Sequence, residues 1–494
     1  MGSEGSKGGI GNMRNTDVMH VYRGLVRIWD CRGALLRVLG FAVLSFGMFG
    51  TLAFGQQDAG TTAGAQSTAN APSGPQITTV PAPSLPLDPA KRRLRCRRTT
   101  DPHRRRFGCK DEPYSWDETL LNDWDGARRT LKKFGIDFSG SYYAAPQTNL
   151  TGGKQKWGYI GNLTTAVNID FSETLGLHGT SLYLSDIWVT GSNLNATVNS
   201  VFALNSNYAP PTAYAAEMYL QQKMLHNKLT LAAGRLAPNY TFASLPVLAN
   251  YVNFGFNPTP GNLVNNDYAF GGPPPGIQWG AQAVYDATPE FQISGGVFNN
   301  NPNSENNGNI FAFQQGNKGA LIVGQVSYLR NQSSHSKGKE GEFTAGFYID
   351  NNSFPVLPNK TTTTDSNYTI FALAQQLIYR PDGPGTHRGL TVWADWGYTT
   401  RELVSSQPLF AGSGISYQGL IPVRKQDILS AGWIYGRPSK FLASFTPTNV
   451  FEANYEWNPT KFIAFTPDLQ YVWNPAGSKS PNATVFGVQL KVTF

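Results

Sequence analysis

The chain offers carboxylates, amides and aromatic rings for chemistry, but few metal ligands or nucleophiles. Its 6 histidines show no spacing that suits a metal site, and we find neither a Gly-x-Ser-x-Gly motif nor a phosphate-binding loop. The carboxylates of Glu217, Asp395, Glu452 and Asp468 fall on polar faces of predicted strands, and in pairs they could act on glycosidic bonds. We favour a second interpretation, in which they shape the electric field of a water-filled channel. An enzyme acting on lipid or glycan stays as an alternative.

Residues 238–275 form the longest connection within the predicted sheet, and they are too aromatic for a loop surrounded by water. Their aromatic side chains are Tyr240, Phe242, Tyr251, Phe254, Phe256, Tyr268 and Phe270. Such a loop needs a surface to pack against, so it either folds into the lumen of a barrel or caps the barrel from outside. Inward folding, which we favour, would present Asn239, Asn265, Asn266 and Asp267 to the channel.

Neutral polar groups that replace water around hydroxyls, next to apolar ring faces, suit the binding of sugars. The long loop and the polar strand faces supply both kinds of group. The residues selected on these grounds for contact with a solute are Asn239, Tyr240, Asn265, Asn266, Asp267, Glu217, Gln221, Trp393, Asp395, Glu452 and Asp468. For each of them, the alternative is that it only solvates the wall of a general pore.

From residue 135 to the C-terminus, apolar and polar side chains alternate, which predicts β-strands with one apolar and one polar face. In the last strand Phe486 and Val488 share one face, whereas Gln489 and Lys491 share the other. Sixteen such segments lie near 135–145, 158–172, 179–190, 212–225, 228–237, 276–287, 289–299, 318–330, 340–350, 368–380, 388–399, 414–421, 426–435, 448–458, 461–473 and 483–494. The alternation slips in 179–190 and 368–380, which suggests β-bulges there.

The predicted connections alternate between very short and long. Long ones fall at 190–211, 238–275, 300–317, 351–367, 400–413 and 436–447. Short turns on one side and long loops on the other are typical of an outer-membrane β-barrel, and an even strand number agrees with this. We therefore predict an all-β fold, a transmembrane antiparallel up-and-down barrel of about sixteen strands over 135–494. A secreted sugar-binding β-sandwich is the alternative fold.

The N-terminal region lacks this alternation. Arginines precede an apolar run at 38–54, which predicts a secretory signal peptide over 1–55, or alternatively a membrane anchor. Residues 56–114 are rich in Pro and Ala and then strongly basic, and we predict a disordered extension that either contacts anionic lipid or cell-wall polymers or is simply solvated. Residues 115–134 predict a short periplasmic helical segment with Asp125 as its N-cap.

The formal charge of +8 belongs to this N-terminal region. Residues 1–114 contain 16 of the 40 Lys and Arg and 8 of the 32 Asp and Glu, which leaves 24 of each for residues 115–494. The predicted barrel is therefore formally neutral, and nothing in it favours a nucleic acid as partner.

Two of the 3 cysteines fall in the exported part of the chain. Cys31 belongs to the signal peptide, whereas Cys96 and Cys109 would meet an oxidising periplasm. We predict a disulfide between Cys96 and Cys109, with two free thiols as the alternative.

Several separate stretches over residues 119–494 together resemble the carbohydrate-selective porins of the OprB type. The run from Asn122 to Arg128 is similar to that family's opening motif, G-D-W-G-G-x-R, and departs from it at Asn122 and Asp125. Further matches in order are Gly234-Arg235, Phe242, Phe254, Pro258, 271–276, Trp279-Gly280, 299–302, Gly419-Leu420, Arg424, Asp427, Glu452, Tyr455, Pro467-Asp468, Gln470-Tyr471, Asn474-Pro475 and Phe494. The N-terminal extension is not part of the resemblance.

The resemblance implies a sixteen-strand barrel, passive uptake of glucose-like sugars and charged residues at a constriction, among which Arg235 is the matched position that we add to the candidates. In a regular strand Arg235 would share the apolar face with Leu229 and Leu231, so it must lie beyond the bilayer or after a bulge. We predict a channel, not an enzyme, without cofactor or metal. Its partners would be small neutral sugars, outer-membrane lipids and lipopolysaccharide, and it would be either a monomer or a homotrimer. A general or differently selective porin is the alternative.

Overall fold

The computed structural model describes residues 119–494 with several gaps. The gaps are 155, 193, 209–210, 257, 272–275, 301–318, 333–336, 384–385, 387, 444 and 478–479. The predicted signal peptide at 1–55, the extension at 56–114 and the candidate disulfide between Cys96 and Cys109 lie outside the described residues.

The described part of the chain forms one closed barrel of sixteen antiparallel strands. Strand β1 pairs with β16, and all other pairs join strands that are neighbours in sequence. The strands are β1 (Ile136–Thr151), β2 (Trp157–Asp170), β3 (Thr180–Ser192), β4 (Thr212–Met224), β5 (Leu229–Leu236), β6 (Gln278–Asp286), β7 (Phe291–Phe298), β8 (Leu321–Arg330), β9 (Gly341–Pro355), β10 (Thr363–Tyr379), β11 (Gly389–Thr399), β12 (Leu409–Gln418), β13 (Ile428–Arg437), β14 (Thr448–Glu456), β15 (Ile463–Trp473) and β16 (Ala483–Thr493). The predicted fold class is confirmed.

Five short α-helices accompany the strands in the described residues. They are α1 (Ala127–Lys133), α2 (Phe171–Leu175), α3 (Asn195–Val198), α4 (Gly261–Asn266) and α5 (Tyr268–Gly271). The N-cap of α1 is Gly126, in the left-handed conformation, so the prediction of Asp125 as N-cap is wrong. Within the part of the chain that the structure describes, no helix has the length and apolar character needed to span a bilayer.

Helix α1 lies at the seam where the barrel closes. Arg128 is buried, and its guanidinium donates to the carbonyl oxygen of Phe138 in β1 at 2.7 Å and to Phe494 O, just beyond β16, at 3.4 Å. The backbone N–H of Leu120 also donates to the carbonyl of Thr493 at 2.9 Å. These bonds satisfy backbone groups at the end of the last strand and fix the helix to it.

Four strand boundaries differ from the prediction by at least five residues. The first strand, β1, runs on to Thr151, beyond its predicted end at 145. The predicted loop 351–367 is mostly strand, because β9 runs on to Pro355 and β10 begins at Thr363. The predicted loop 400–413 is shorter, because β12 begins at Leu409. In β9 and β10 polar residues such as Asn and Ser continue the ladder above the apolar belt, where alternation of hydrophobicity no longer marks a strand. The residues added to β12, 409–413, are instead mostly apolar or small.

The pairing is irregular at both predicted places, but only the bulge in 368–380 lies on the strand for which it was predicted. The β3–β4 register shifts between Leu184 and Asp186, and the extra residue lies on β4. The β10 registers shift between Asp365 and Asn367 on one side and between Leu377 and Tyr379 on the other. The β4 bulge matters for the lumen, because a one-residue insertion changes which side chains face inward.

The two faces of the sheet differ as expected for a barrel in lipid. Phe451, Leu469 and Phe486 point outward and are well exposed, whereas the residues between them point inward and are buried. The rim that carries the short connections 225–228 and 287–290, here called the short-turn rim, corresponds to the periplasmic side of outer-membrane barrels. The apolar core lies inside the barrel, between the wall and two loops that enter it.

Candidate functional site in the barrel lumen

The long loop between β5 and β6, residues 237–277 and here called L3, folds into the barrel and follows its inner wall. Near its start, the N–H of Ala243 donates to Oε1 of Gln325 in β8 at 2.9 Å. Further along, the hydroxyl of Tyr251 donates to the carbonyl of Ile415 in β12 at 2.9 Å. L3 therefore lies inside the lumen, as its aromatic content predicts, and not outside as a cap.

A carboxyl group on β14 fixes the middle of L3. The two oxygens of Glu452 accept hydrogen bonds from the backbone N–H groups of Val252 at 2.7 Å and Asn253 at 2.8 Å. The side-chain amide of Asn253 donates to Oε1 of Gln470 on β15 at 2.8 Å. Buried backbone donors need acceptors, and here the wall of the barrel provides them.

A second loop, residues 193–211 between β3 and β4 and here called L2, also enters the lumen. The amide of Gln470 donates to the carbonyl of Leu204 at 2.8 Å, and the N–H of Ser206 donates to the carbonyl of Val252 in L3 at 2.8 Å. The sequence analysis assigned no role to L2. The signal it carried was a set of apolar residues in an Asn- and Ser-rich stretch, among them Leu194, Val198, Phe202 and Leu204.

Trp393, a predicted contact for solute, packs beneath L3. Tyr251 and Phe256 of L3 are stacked with ring centroids 4.8 Å apart, and Trp393 meets Tyr251 edge-on at 5.4 Å. Its indole N–H donates to the hydroxyl oxygen of Tyr251 at 2.8 Å. Trp393 is only 4% exposed, so in this arrangement its ring holds the loop and faces no open channel.

The three predicted wall carboxylates near it are covered in the same way. Asp395, Glu452 and Asp468 all point inward, and all are buried between the wall and the loops. Asp468 accepts a hydrogen bond from Nε2 of Gln470 at 2.6 Å, so it belongs to the group that fastens L2 and L3. The strand pattern predicted the inward direction of these side chains but gave no sign that loops would cover them.

The polar residues predicted along L3 mostly turn toward the wall. Asn239 is fully buried, and Asn266 donates to the carbonyl of Gln407 at 2.8 Å. Asn265 is half-buried, and its amide donates to Oε1 of Gln407 at 2.6 Å. Asp267 is buried and accepts from the N–H of Ala269. Asn265 and Asn266 bind the far end of L3 to the connection between β11 and β12, and Asp267 binds within L3 itself.

Burial affects the acidity of Asp267. Its pKa is raised well above the usual value, first by the loss of hydration and then by the nearby Asp350 on β9. The side-chain amide of Asn300 donates to one carboxylate oxygen of Asp350, and the other oxygen accepts from the N–H of Asn352 at 2.8 Å.

Among the described residues, no group of three or more His, Cys, Asp or Glu is arranged to hold a metal ion.

The remaining candidates cluster on the opposite side of the barrel, where L3 begins. The extra residue in β4 leaves both Ala216 and Glu217 buried, and Glu217 accepts from the N–H of Ala237 at 3.2 Å. Arg235 is 1% exposed, and its Nε donates to the carbonyl of Ala216 at 3.0 Å. Gly234 precedes it with φ +144°, and this bend resolves the conflict over the parity of Arg235.

Tyr240 and Gln221 complete this second group and are both half-buried. Two further tyrosines, which the sequence analysis missed, lie beside them. The rings of Tyr183 on β3 and Tyr219 on β4 are stacked, with centroids 5.0 Å apart and planes at 28°. Their register positions place both side chains in the lumen. For Tyr219 this follows only when the extra residue in β4 is taken into account.

A closed antiparallel barrel with an apolar outer face and a lumen narrowed by inward loops is the architecture of a porin, a channel of the outer membrane. Residues 154–494 match the family described as carbohydrate-selective porin, OprB family, and the chain belongs to this family. The predicted family, the outer-membrane location and the assignment as a channel and not an enzyme are thereby confirmed.

Similar proteins agree with this assignment. Porin B of Pseudomonas aeruginosa is 23% identical over 431 residues, covering 76% of this chain and 91% of its own. The putative porin QuiX of Acinetobacter baylyi is 23% identical over 427 residues, covering 76% and 93%. Among solved structures, the high-pH structure of Pseudomonas putida OprB is similar, with a TM-score of 0.69 and 21% sequence identity over 76% of this chain and 99% of that one. At this identity the structural likeness speaks for the fold.

Proposed function

We propose that the chain carries small neutral sugars such as glucose across the outer membrane by passive diffusion, along the lumen faces of β2–β6 beside L2 and L3. The observation that supports this path is the division of the lumen. Away from the short-turn rim, inward side chains on β11–β15 are buried under the loops, whereas on β2–β6 several inward side chains stay half-buried. These are Asn168, Ser181, Tyr219, Gln221, Thr230 and Gln282.

This half-buried surface fits neutral solutes. Its hydroxyl and amide groups both donate and accept hydrogen bonds, so they can replace water around sugar hydroxyls without adding a net charge. Glu217 lies nearby and holds the start of L3, and Arg235 beside it is bonded to β4; from these positions both would limit the width of the path. Weak contacts of this kind let the solute leave as readily as it enters.

The remaining partners follow from the same picture. The outward apolar side chains would contact outer-membrane lipid and lipopolysaccharide, and residues 1–55 would direct export and be removed.

Flux measurements with purified, reconstituted protein test the proposal. We expect glucose to enter liposomes carrying the chain faster than a zwitterion of similar size, and small ions to pass slowly. Equal rates for glucose and the zwitterion would instead indicate a general pore and would overturn the sugar selectivity. Liposomes without protein give the background rate.

A further inference from the structure

Four residues in one row of the sheet combine an aromatic pair with two glycines. Tyr183 pairs with Tyr219, Tyr219 with Gly234, and Gly234 with Gly280 across β3–β6. Residues paired across antiparallel strands share a face of the sheet. All four therefore face the lumen at the level where L3 begins.

Tyr219 is covered on one side by Tyr183 and also packs against the apolar core inside the barrel, whereas the paired position on β5 carries no side chain. Tyr183, which is 5% exposed, stacks on the β3 side at 5.0 Å. On the β5 side stands Gly234, which has no side chain and is half-buried, like Tyr219 itself. A half-buried strip of wall without a side chain therefore lies next to an aromatic ring.

Glycine is required at this strip. Gly234 has φ +144°, and a Cβ there would lie 2.3 Å from the carbonyl oxygen of Met218 and 2.6 Å from Cα of Tyr219. L-residues rarely adopt this conformation, and backbone cannot move aside cheaply. The sequence therefore keeps the wall beside Tyr219 free of side chains.

Amide groups border the strip on the side of the short-turn rim. Gln221 and Gln282 both pair with Ala232, so they lie in the next row on either side of it. Nε2 of Gln282 donates to the hydroxyl of Thr241 in L3 at 2.9 Å, and its buried Oε1 has no hydrogen-bond partner among the described residues. A buried acceptor without a partner is costly unless water or a ligand donates to it.

We propose that Tyr219, Gly234, Gln221 and Gln282 form a binding subsite for one pyranose ring. The apolar C–H face of the sugar lies on Tyr219 above Gly234, and its hydroxyls bond to the two amides. This inference rests on the proposed function, which it makes specific to ring sugars. Glu217, on the far side of Tyr219, helps to set where L3 begins and thereby the depth of the strip.

The subsite predicts that glucose saturates the channel and that a ring is needed. Sorbitol, an open-chain polyol, has similar hydroxyls but no ring face, so it should bind more weakly. We measure the half-saturating concentration of each solute from its reduction of the ion current through the reconstituted channel. The variants are Tyr219→Ala and Tyr219→Phe, and the control is Tyr285→Ala, which removes an outward tyrosine from the neighbouring β6.

In Tyr219→Ala we expect the half-saturating glucose concentration to rise about tenfold and the preference over sorbitol to disappear, as loss of one aromatic contact implies. Tyr219→Phe keeps the ring face and should stay within about twofold of the parent, as should the control. Unchanged saturation and unchanged preference in Tyr219→Ala overturn the subsite. If that variant does not fold, Gln221→Leu decides: a raised half-saturating concentration supports the subsite, and an unchanged one overturns it.

The two proposals fail in different ways. If the parent protein passes glucose no faster than a zwitterion of similar size, the proposed sugar selectivity is wrong. If the parent keeps that selectivity while Tyr219→Ala behaves like the parent, only the subsite is wrong.

Discussion

Asn253 in L3 donates its side-chain amide to Oε1 of Gln470 at 2.8 Å, although 217 residues separate the two along the chain. Gln470 in turn donates to the carbonyl of Leu204 in L2. One neutral side chain on β15 thus fastens both loops that narrow the lumen. Because β15 is the last strand but one, these loops can reach their final positions only after nearly the whole barrel has formed.

We expect Glu452→Gln to loosen the middle of L3. The two oxygens of Glu452 receive the N–H groups of Val252 and Asn253, and glutamine would place an NH₂ against one of these donors. The loss of a buried hydrogen bond and the new donor–donor contact should lower the free energy of unfolding by about 2 kcal/mol. Single-channel recording should show a larger or noisier ion current.

Glu290→Gln is the matched control, because Glu290 lies exposed in the short turn between β6 and β7. It should change neither the unfolding transition nor the current. If Glu452→Gln also behaves like the parent in both measurements, the carboxyl group does not hold L3.

Phe202 of L2 should contribute strongly to the position of both loops. It is fully buried, meets Phe410 edge-on at 5.8 Å, and would collide with a Cβ added at Gly255, Gly261 or Gly436. Phe202→Ala leaves a cavity between L2, L3 and the wall, and we expect a loss of about 3–5 kcal/mol in stability. Heat or urea unfolding of the reconstituted protein measures this.

The same cavity should let larger sugars pass, which flux of a disaccharide into liposomes would detect. Phe445→Ala, in the exposed connection between β13 and β14, removes a phenylalanine that is 47% exposed and serves as the control. A Phe202→Ala protein as stable and as size-selective as the control would contradict this role for L2.

The strand pattern predicts most of the barrel, because one apolar and one polar face is a local property of each strand. Glu452 and Asp468 were placed on lumen faces from alternation alone, and the structure agrees. What alternation does not contain is the partner across the lumen. The contacts of Glu452 with L3 join residues about 200 apart, and no short-range pattern encodes such a pairing.

Arg235 and Tyr219 show a second limit. Period-two reasoning assigns Arg235 to the lipid face, but a glycine with φ +144° just before it turns its side chain inward. One extra residue in β4 likewise shifts the inward set from Tyr214 and Ala216 to Glu217 and Tyr219. Bulges depend on pairing with the neighbouring strand, so the sequence can hint at them but not locate them.

The ionised carboxylate of Asp427, in the connection between β12 and β13, should stabilise the barrel at neutral pH and lose this effect in acid. Burial acts to raise its pKa, but hydrogen bonds from Arg424, Tyr455 and Asn458 outweigh this and lower the pKa below the usual value. A lowered pKa in the folded state gives stability that is fully present above the unfolded value of about 3.9 and is lost as pH falls through the folded value.

We therefore expect Asp427→Asn to be less stable than the parent at neutral pH, and the difference to shrink as the solution is acidified below about pH 4. Urea unfolding at a series of pH values measures it. Asp286→Asn, in another strand-end position at the short-turn rim, is the control. A difference between parent and Asp427→Asn that does not depend on pH would contradict the assignment.

The titration of Asp267, at the far end of L3, should change stability with pH in the opposite direction to that of Asp427. Burial, and then the neighbouring Asp350, raise its pKa well above the usual value, and Tyr348 lies on the same side. A carboxyl group whose pKa is raised on folding holds its proton in the folded state after the unfolded chain has released it. The stability of this end of L3 is therefore highest at low pH and falls as pH rises from about 4 through the folded value.

Asp267→Asn removes the titration while it keeps an oxygen that can accept from the N–H of Ala269. We expect the ion current of the parent to rise as pH increases through the raised pKa of Asp267, because the ionised carboxylates of Asp267 and Asp350 then repel each other, and that of Asp267→Asn to stay nearly constant. Because Asp286→Asn changes the same residue type at the short-turn rim, it should keep the pH dependence of the parent. A current that rises equally in parent and Asp267→Asn would mean that another group controls the loop, since the carboxyl of Asp267 is the only group removed.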